Sequence, residues 1–399
     1  MVLTCSQCNA EYGTEQARWR CDCGGYLRLS HEGMFRRERL AARPHTLWRY
    51  REALGLAPGA TPVSLGEGWT PLEAGKLGGR DVLFKLDYLC PTGSYKDRGA
   101  ATMLTQLKHW RVARIIEDSS GNAGAAVAAY AARAGIDCDI YIPATTSEGK
   151  AAQIAMYGGN LRRVAGSREQ TTDAALAAAE AGVFYASHNW SPYFAAGMKT
   201  IAYEIAEQMN WHAPNWVVVP VGGGGLLSGV YMGFSDLAHA GMIDRMPQLL
   251  AVQAAACNPV ERAWASGLET VPAVEKRPTA AEGISVARPV RGEDVLQAVR
   301  GSRGHVVAVE DDDIWNCCDL LARQGLYVEP TAAAAPAAAL HAFARGLFVP
   351  HDRVIVVLTG MGLKATDKIV ERMGAARAEP TEPAATVGPV LAEDAPVQR

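Results

Sequence analysis

The sequence predicts an α/β protein in which helices cover both faces of parallel sheets. Three observations lead to this fold class. Apolar strand segments alternate with helical segments from about residue 97 to residue 330, and several of the strands run directly into glycine-containing turns. The chain has 399 residues, enough for a large core and two or three domains. Strand–helix alternation is typical of parallel sheets, because each return to the sheet needs a crossover helix.

The composition of the chain excludes several classes of function. Hydrophobic residues make up 49% and charged residues 20%, which is globular composition. The net charge of −3 argues against a dedicated nucleic-acid-binding protein, whose surface is usually basic. No apolar run approaches the roughly 18 residues of a membrane span, and Met1 leads to Cys5 without a signal peptide. We therefore expect a soluble, cytoplasmic protein without nucleic-acid or membrane partners.

Residues 1–30 are expected to form a zinc-ribbon-like extension. Cys5-x-x-Cys8 is followed by Cys21-x-Cys23 and two glycines, and knuckles of this kind hold zinc through four thiolates. Because protein ligands fill all four positions, this zinc would be structural. The second pair has one intervening residue rather than two, so the alternative is a ribbon that keeps its fold with reduced metal affinity. The other cysteines are expected to be reduced core residues.

Residues 31–80 are expected to connect this extension to the α/β region, with a basic helix around 35–43 and a turn-rich stretch after it. The tail, 375–399, is rich in Pro, Ala and acidic residues and is expected to be disordered. Between them, the predicted strands are 82–86, 114–118, 139–142, 161–164, 217–221, 249–253 and 354–358, and the predicted helices are 123–134, 150–157, 169–181 and 226–234.

The segment CPTGSYKDRGA, residues 90–100, places Lys96 in a turn of small residues. A surface lysine would be an ordinary solvated charge. A lysine at the mouth of a pocket can instead be a nucleophile that forms a Schiff base. The two residues that follow, Asp97 and Arg98, are expected to form a structural ion pair.

A run of four glycines is predicted to bind a phosphate group. In VVVPVGGGGLLSG, residues 217–229, a buried strand ends, Gly222–Gly225 follow, and a helix begins at about Leu226. Glycines allow backbone N–H groups to converge on an anion, and the helix N-terminus adds positive partial charge. The spacing is neither the dinucleotide fingerprint nor a P-loop. The alternative is a flexible turn.

Two other strand ends carry hydroxyl groups. Ser119, Ser120 and Asn122 lie where a strand ends and a helix begins, a position that can hold a carboxylate. N-capping alone would also explain these residue types. Thr359 follows the last buried strand, in the turn VVLTGMGLK. Each of these two junctions is a weak signal by itself.

Together these segments resemble the fold-type II pyridoxal-phosphate enzymes, within the tryptophan synthase beta superfamily, and most closely the threonine synthase family. That family often carries an N-terminal zinc-ribbon-like extension. The resemblance implies pyridoxal 5′-phosphate as the cofactor and a carbon–oxygen lyase of amino-acid metabolism as the activity. The similar segments are LGEGWTPL (65–72), PTGSYKDRG (91–99), SSGNAG (119–124), PVGGGG (220–225), VEPTAAAA (328–335) and TGMGLK (359–364).

The resemblance also implies roles for individual residues. Lys96 would be the catalytic residue, which attaches the cofactor and moves protons. Asn122 would bond the pyridine 3′ oxygen, and Thr359 would meet the pyridine nitrogen. A neutral hydroxyl at that nitrogen favours elimination and replacement over transamination. The implied cofactor set is Lys96, Asn122, Gly222, Gly223, Gly224, Gly225, Leu226 and Thr359, and the implied substrate set is Ser94, Ser119, Ser120, Asn122, His188, Asn189 and Lys199.

A domain arrangement follows from the same resemblance. Two open, twisted parallel-sheet domains would hold the cofactor in the cleft between them. Residues 31–107 and 201–374 would form the large domain, and 108–200 the small, mobile one. The expected partner is a small-molecule amino acid. Relatives are often dimers, so the resemblance is compatible with a homodimer.

One segment departs from the family pattern. HNWSPYFAAGMKT, residues 188–200, takes the place of N-S-x-N-P-x-R-x-x-G-Q-K-T, and the family's arginine falls on Phe194. Arginine makes a bidentate, charge-assisted contact to phosphate, and its loss costs roughly 1.5–3 kcal/mol. Lys199, Lys150 and His188 are the candidates to replace that charge.

The sequence therefore leaves three hypotheses for the function. The first is threonine synthase proper, which converts O-phosphohomoserine to L-threonine and phosphate, and the resemblance favours it slightly. The second keeps the cofactor and changes the substrate: a β-eliminating lyase, ammonia-lyase or β-replacement enzyme acting on a hydroxy-, amino- or other β-substituted amino acid. Phe194 favours this second hypothesis. The third is a non-catalytic relative, against which the intact lysine and glycine segments argue.

Overall fold

The computed structural model describes residues 1–31 and 33–374, so the predicted tail lies outside the described residues. The α/β prediction is confirmed, and the strands form three sheets. The N-terminal sheet is small and antiparallel, in the order β2-β1-β3. It packs around Leu3, Cys5, Cys21 and Leu27. Its strands are β1 (Val2–Cys5), β2 (Glu11–Tyr12) and β3 (Leu27–Ser30).

The connector that follows contains little regular structure. The helix predicted around 35–43 is a short 3-10 helix, Arg37–Ala42, and a second one spans Leu47–Ala53. The hairpin of β4 (Leu72–Leu77) and β5 (Arg80–Lys85) comes next, and the sequence indicated only its second strand. A 3-10 turn, Asp87–Leu89, then leads to the lysine segment and to helix α1 (Lys96–His109).

A four-stranded sheet lies between residues 114 and 185. All of its strands are parallel, in the order β8-β7-β6-β9. Helices occupy the crossovers, as the alternating pattern predicts. The strands are β6 (Arg114–Glu117), β7 (Asp137–Pro143), β8 (Asn160–Val164) and β9 (Phe184–Tyr185), and the helices are α2 (Asn122–Ala134), α3 (Glu148–Met156) and α4 (Arg168–Glu180).

A six-stranded sheet contains the remaining strands in the order β12-β11-β10-β13-β5-β4, parallel except at β4. We propose that the two larger sheets are the cores of the predicted large and small domains. The new strands are β10 (Trp216–Pro220), β11 (Gln248–Ala254), β12 (His305–Val309) and β13 (Val354–Val357). The helices are α5 (Pro192–Gln208), α6 (Gly225–His239), α7 (Pro259–Ala265), α8 (Gly292–Gly301), α9 (Asp311–Ala322) and α10 (Pro330–Ala344), with 3-10 turns at Glu282–Ile284 and Gly362–Ala365.

The six-stranded sheet is buried on both faces. Val217 and Val219 of β10 belong to one hydrophobic cluster, and Val218 between them belongs to another. Such burial explains why these strands read as continuous apolar runs. Helix α11 (Thr366–Gly374) belongs to a unit separate from Met1–Ala365. Within residues 1–31 and 33–374, no helix combines the length and apolar composition needed to cross a bilayer.

The motif residues follow the carboxyl ends of the parallel strands. Ser119–Asn122 follows β6, His188 lies shortly after β9, Gly222–Gly225 follows β10, and Thr359 follows β13. In open α/β sheets this edge is where ligands bind. The fold therefore positions the candidate site at the carboxyl ends of the two sheets.

Candidate active site

The lysine segment pairs directly with the turn that contains Thr359. The backbone N–H of Tyr95 donates to the carbonyl of Thr359 at 3.0 Å. The N–H of Met361 donates to the carbonyl of Gly93, also at 3.0 Å. Lys96 is half-buried and is the first residue of α1. Two segments more than 260 residues apart in the chain thus place Lys96 beside the Thr359 turn.

Two hydroxyl groups in this region have no partner. Thr359 Oγ1 and Ser94 Oγ are buried, and neither makes a hydrogen bond within the described parts of the chain. A buried polar atom without a partner costs about 1–3 kcal/mol. The family resemblance implies a cofactor contact for Thr359 and a substrate contact for Ser94. Buried hydroxyls without partners are available to bond a polar ligand.

The glycine loop presents a row of free backbone donors. Among residues 1–31 and 33–374, none accepts a hydrogen bond from the N–H groups of Gly222 through Leu227. Gly224 is the N-cap of α6, has a φ of +98°, and offers no side chain to cap the helix. A Cβ added to Gly225 would have no atom within 4 Å, so the space beside it is open. These features fit an anion such as the phosphate of the implied cofactor.

The N-terminus of α2 supplies a second group of free donors. The N–H groups of Asn122, Ala123 and Gly124 have no acceptor among the described residues. Ser119 Oγ accepts a bond from the N–H of Gly121 at 3.3 Å, and Ser120 is half-buried. This end of the helix can therefore bind a carboxylate, as its sequence predicts.

The side chain of Asn122 has a partner that the sequence did not indicate. Its Nδ2 donates to both carboxylate oxygens of Glu329, at 2.9 and 3.1 Å. Glu329 is the N-cap of α10, and its N–H donates to the carbonyl of Gly360 at 3.0 Å. Burial raises the pKa of Glu329 above its ordinary value. These contacts connect Asn122 to the turn that carries Thr359.

An aromatic residue forms the wall next to the lysine. Phe194 lies on the first turn of α5 and is only 2% exposed. Its ring centroid is 5.7 Å from Lys96 Nζ and 5.9 Å from the ring of His188. It packs over Gly99 of α1, where an added Cβ would lie 2.4 Å from the ring. The position at which the family motif has an arginine therefore lies beside the lysine and is apolar.

Asn189 connects this wall to the glycine loop. A Cβ added to Gly223 would lie 2.1 Å from Asn189 Oδ1, so the two residues are in close contact. Arg291 holds both in place: its N–H donates to the carbonyl of Gly223 at 3.0 Å, and its Nε donates to the carbonyl of Asn189 at 3.1 Å. Arg291 was missed from the sequence, where it is a single basic residue without a motif.

Two of the three groups proposed to replace the family arginine, Lys199 and Lys150, are paired with acids. Lys199 Nζ donates to the carbonyl of Ala53 at 3.0 Å and lies 2.6 Å from a carboxylate oxygen of Asp236. The structure therefore does not bring Lys199 together with Lys96. Lys150 Nζ lies 2.5 Å from Glu282 Oε2.

His188 is a member of a buried pair. Its Nδ1 lies 2.7 Å from Glu117 Oε1, and its N–H donates to Glu117 Oε2 at 3.0 Å. Burial and the nearby charge of Lys96 lower the pKa of His188 well below its ordinary value, so its ring is neutral. Glu117 was not predicted, although an acid at the end of an apolar strand, directly before the SSGN segment, is an available signal.

The predicted pair of Asp97 with Arg98 is wrong. Arg98 is fully buried and binds Asp87 and Glu204, with Nη2 contacts of 2.6 and 2.7 Å. Asp97 instead accepts the N–H of Thr92 at 2.7 Å, and burial raises its pKa to about 7. Consecutive helical residues project in different directions, so neighbours in the chain do not face each other.

The four N-terminal cysteines lie together. Their sulfur atoms are all within 4.8 Å of one another, with 3.4 Å between Cys5 and Cys23 and 3.5 Å between Cys8 and Cys21. All four are free thiols. Zn–S bonds of about 2.3 Å in a tetrahedron bring sulfur atoms to about this separation. The cluster is thus compatible with a structural metal ion.

Comparisons with known proteins agree with this arrangement. The family model described as "Pyridoxal-phosphate dependent enzyme" matches residues 63–360. The threonine synthase of Methanocaldococcus jannaschii is 32% identical over 382 residues, which cover 93% of this chain and 94% of that protein. The threonine synthase of Mycobacterium bovis is 33% identical over 352 residues, covering 86% and 95%.

Solved structures with a similar fold include two amino-acid lyases. A threonine deaminase from T.th. matches with a TM-score of 0.61 and 26% identity, covering 73% of this chain and 92% of that one. A fungal L-serine ammonia-lyase from Rhizomucor miehei matches with a TM-score of 0.64 and 25% identity, covering 76% and 98%.

Proposed function

The chain belongs to the threonine synthase-like, fold-type II family of pyridoxal-phosphate-dependent enzymes, and from that premise we propose that it eliminates a small, uncharged group from an amino acid. A β-hydroxy amino acid is the substrate class that fits best. Water would leave, and the released enamine would hydrolyse to a 2-keto acid and ammonia. Its cofactor is pyridoxal phosphate, and its reaction class is that of a lyase.

The residues present fit this cofactor. The free N–H groups of Gly222 to Leu227 would hold the phosphate, and Thr359 Oγ1 would meet the ring nitrogen. Asn122, which Glu329 holds, would bond the 3′ oxygen. When bound, pyridoxal phosphate withdraws electrons from Cα of the amino acid and so makes the Cα proton acidic. The protein supplies orientation and proton transfer.

The chain's own groups would perform those two tasks. The N-terminus of α2, with Ser119 and Ser120, would bind the substrate carboxylate through its free N–H groups. Lys96 would take the Cα proton. Phe194 and the other apolar surroundings would keep water from the reacting atoms.

The observation that carries the choice of substrate is the apolar wall beside Lys96. A phosphorylated side chain needs cationic partners there. Phe194 offers none, Lys150 and Lys199 are paired with acids, and His188 is neutral. Without one charge-assisted contact, binding would weaken by roughly 1.5–3 kcal/mol, or about 10- to 150-fold. A hydroxyl leaving group has no such requirement.

Threonine synthase activity is the second candidate. It would release phosphate from O-phosphohomoserine and add water at Cβ. Similarity to threonine synthases along nearly the whole chain favours it, at 32% identity over 382 residues. This activity would require Lys150 or Lys199, each now paired with an acid, to bind the substrate phosphate instead.

A product assay tests the proposal. Purified holoenzyme would be incubated separately with L-threonine, L-serine and O-phosphohomoserine, and ammonia, 2-keto acid, phosphate and threonine would be measured. We expect ammonia and 2-keto acid from a hydroxy amino acid, with kcat/KM at least about tenfold above that for O-phosphohomoserine. Equal amounts of phosphate and threonine from O-phosphohomoserine, with no keto acid, would support the second candidate instead.

Gly224→Ala is expected to reduce cofactor retention. Gly224 has a φ of +98°, and an added Cβ would lie 2.7 Å from the carbonyl oxygen of Arg291, so the loop must shift. Gly135→Ala is the control. Gly135 also has a positive φ, +72°, but no atom lies within 4 Å of an added Cβ. This variant therefore adds only the backbone strain, about 1–2 kcal/mol, and no steric clash. We expect the first variant to lose most bound pyridoxal phosphate, measured by absorbance per chain, and the control to keep it. Equal retention would argue against the assigned loop.

We further propose that the cysteine cluster binds one structural zinc ion. The purified chain should contain close to one zinc per molecule by elemental analysis. Cys8→Ser removes one ligand and should lose most of the metal, whereas Cys318→Ser, outside the cluster, should retain it. Metal-free protein purified without chelators would show that the ribbon keeps its fold without zinc.

A further inference from the structure

A buried acid–imidazole pair lies at the edge of the candidate site. Glu117 is the last residue of β6, and His188 follows β9, the parallel strand paired with β6 through Ile116 and Tyr185. Both residues are therefore at the carboxyl ends of adjacent strands. Glu117 is 0% exposed, and the side chain of His188 is 13% exposed. Two hydrogen bonds join them, one between Glu117 Oε1 and the ring Nδ1 of His188 and one from the backbone N–H of His188 to Glu117 Oε2.

The Glu117–His188 pair differs from the adjacent carboxylate, Asp118, which forms an ion pair with an arginine. Asp118, the next residue, has Arg168 at 2.9 Å and the hydroxyl of Thr172 at 2.8 Å, and its pKa is lowered. Within the described residues, Glu117 makes no ion pair with a lysine or arginine. Burial, reinforced by the charge of Asp118, raises the pKa of Glu117 well above its ordinary value. Although the charges of Arg168 and Lys96 act in the opposite direction, the net shift favours the protonated, neutral form of Glu117.

The two pKa shifts favour the neutral form of each partner, and this pairing has one direction of hydrogen bonding at Nδ1. A protonated Glu117 donates to Nδ1 of the neutral His188 ring, which places the ring proton on Nε2. Nε2 has no protein partner in the parts of the chain that the structure describes. The pair therefore holds two protons, one on each partner, and the Nε2–H group is free to bond a ligand.

The pair also lies near the lysine and the glycine loop. The His188 ring contacts Phe194, whose ring lies 5.7 Å from Lys96 Nζ. The adjacent residue, Asn189, contacts Gly223 of the loop. His188 thus borders a region bounded by the lysine and the proposed phosphate site, where the side chain of a substrate would lie.

We propose that His188 is the acid that protonates the departing hydroxyl group and that Glu117 supplies the replacement proton. Lys96 takes the Cα proton, the electrons of that C–H bond form the Cα=Cβ bond, and the Cβ–O bond breaks with its electron pair on oxygen. Nε2–H protonates that oxygen, which leaves as water, while the Glu117 proton moves to Nδ1. The pair then carries one negative charge until the proton held by Lys96 or one from water restores it.

This inference rests on the proposed function, because only a poor leaving group needs an acid. Hydroxide is a poor leaving group, so a proton at the oxygen is needed as the bond breaks. A purely structural link between β6 and β9 would not require a proton that can move. The two roles therefore predict different dependence on the leaving group.

The test compares leaving groups. His188→Gln and Glu117→Gln holoenzymes would be assayed with L-threonine and L-serine and with β-chloro-L-alanine, whose chloride leaves without a proton. His188→Gln should lower kcat for the hydroxy substrates by about 10²–10⁴-fold and for β-chloro-L-alanine by less than about tenfold. Glu117→Gln keeps a hydrogen-bond donor without a transferable proton and should show the same contrast with a smaller loss. His212→Gln, at an exposed histidine, is the control and should change neither rate.

Several outcomes would overturn the inference. Equal losses on both kinds of substrate would assign the pair a structural role, and unchanged rates on the hydroxy substrates would remove its role altogether. Failure of the wild-type enzyme to act on any hydroxy amino acid would instead contradict the proposed function. In that case ¹⁵N NMR of the histidine rings, which needs no turnover, tests the pair. A neutral His188 ring with its proton on Nε2 supports the inference. An imidazolium, or a neutral ring with its proton on Nδ1, contradicts it.

Discussion

Lys96→Ala is expected to abolish turnover, lowering kcat by about 10³-fold or more. The lysine is half-buried at the start of α1, beside the unpartnered hydroxyl of Thr359 and the ring of Phe194. No other lysine shares these contacts within the described residues: Lys150 pairs with Glu282, and Lys364 donates to the carbonyl of Thr92 at 3.1 Å. The measurement is keto-acid formation under steady-state conditions with saturating pyridoxal phosphate.

Lys108→Ala provides the matched control for this variant. Lys108 lies on the same helix but is exposed, so its loss should leave activity and cofactor content unchanged. Thermal unfolding of both variants would confirm that each is folded. Substantial activity in folded Lys96→Ala, within about tenfold of wild type, would show that another group moves the Cα proton.

Arg98→Met is expected to lower the free energy of unfolding by about 3–5 kcal/mol. Arg98 and Lys85 are buried with Asp87 and Glu204, and all four side chains are 0% exposed. The two positive and two negative charges balance. Removal of Arg98 would leave two buried carboxylates with one cation, and it would loosen α1 from α5. Urea unfolding monitored by circular dichroism gives the difference.

Arg114→Met tests whether burial is the cause. Arg114 also contacts a carboxylate, Asp139 at 2.5 Å, but its side chain is 49% exposed, so we expect a loss below about 1 kcal/mol. A loss for Arg98→Met no larger than for this control would contradict the assignment of the cluster as a main stabilising element of the lysine helix.

The buried cluster also predicts how stability changes in acid. Burial alone would raise the pKa of Glu204, but Arg98 and Lys85 lower it to about 2, from an ordinary value of 4.5. An acid whose pKa is lowered by folding contributes its full stabilisation above its unfolded value. That contribution is lost as pH falls from about 4.5 through about 2.

The sequence predicts those features that short stretches encode. The glycine run after an apolar strand indicates the anion-binding loop, because both the strand and the conformational freedom are local properties. The order of the sheet is not encoded in that way. The neighbours of β10 are β11 and β13, and β13 begins more than 130 residues after β10 ends.

Contacts between distant segments were the features that sequence reasoning missed. Glu117 and His188 are 71 residues apart and meet because β6 and β9 are neighbours in the sheet. Adjacency in the chain predicts a pair of Asp97 with Arg98, whereas Arg98 binds Glu204 of another helix and Asp97 accepts the N–H of Thr92. Phe194 was identified only through its departure from the family motif, and its position beside Lys96 needed the fold.

The central claim is that the region around Lys96, Thr359 and the glycine loop binds pyridoxal phosphate. Treatment of the holoenzyme with borohydride fixes the cofactor to the lysine that carries it, and peptide mass spectrometry then identifies that residue. The account predicts the label on Lys96 and on no other lysine. A label on Lys150 or Lys364, or cofactor that washes out of the reduced protein, would contradict it.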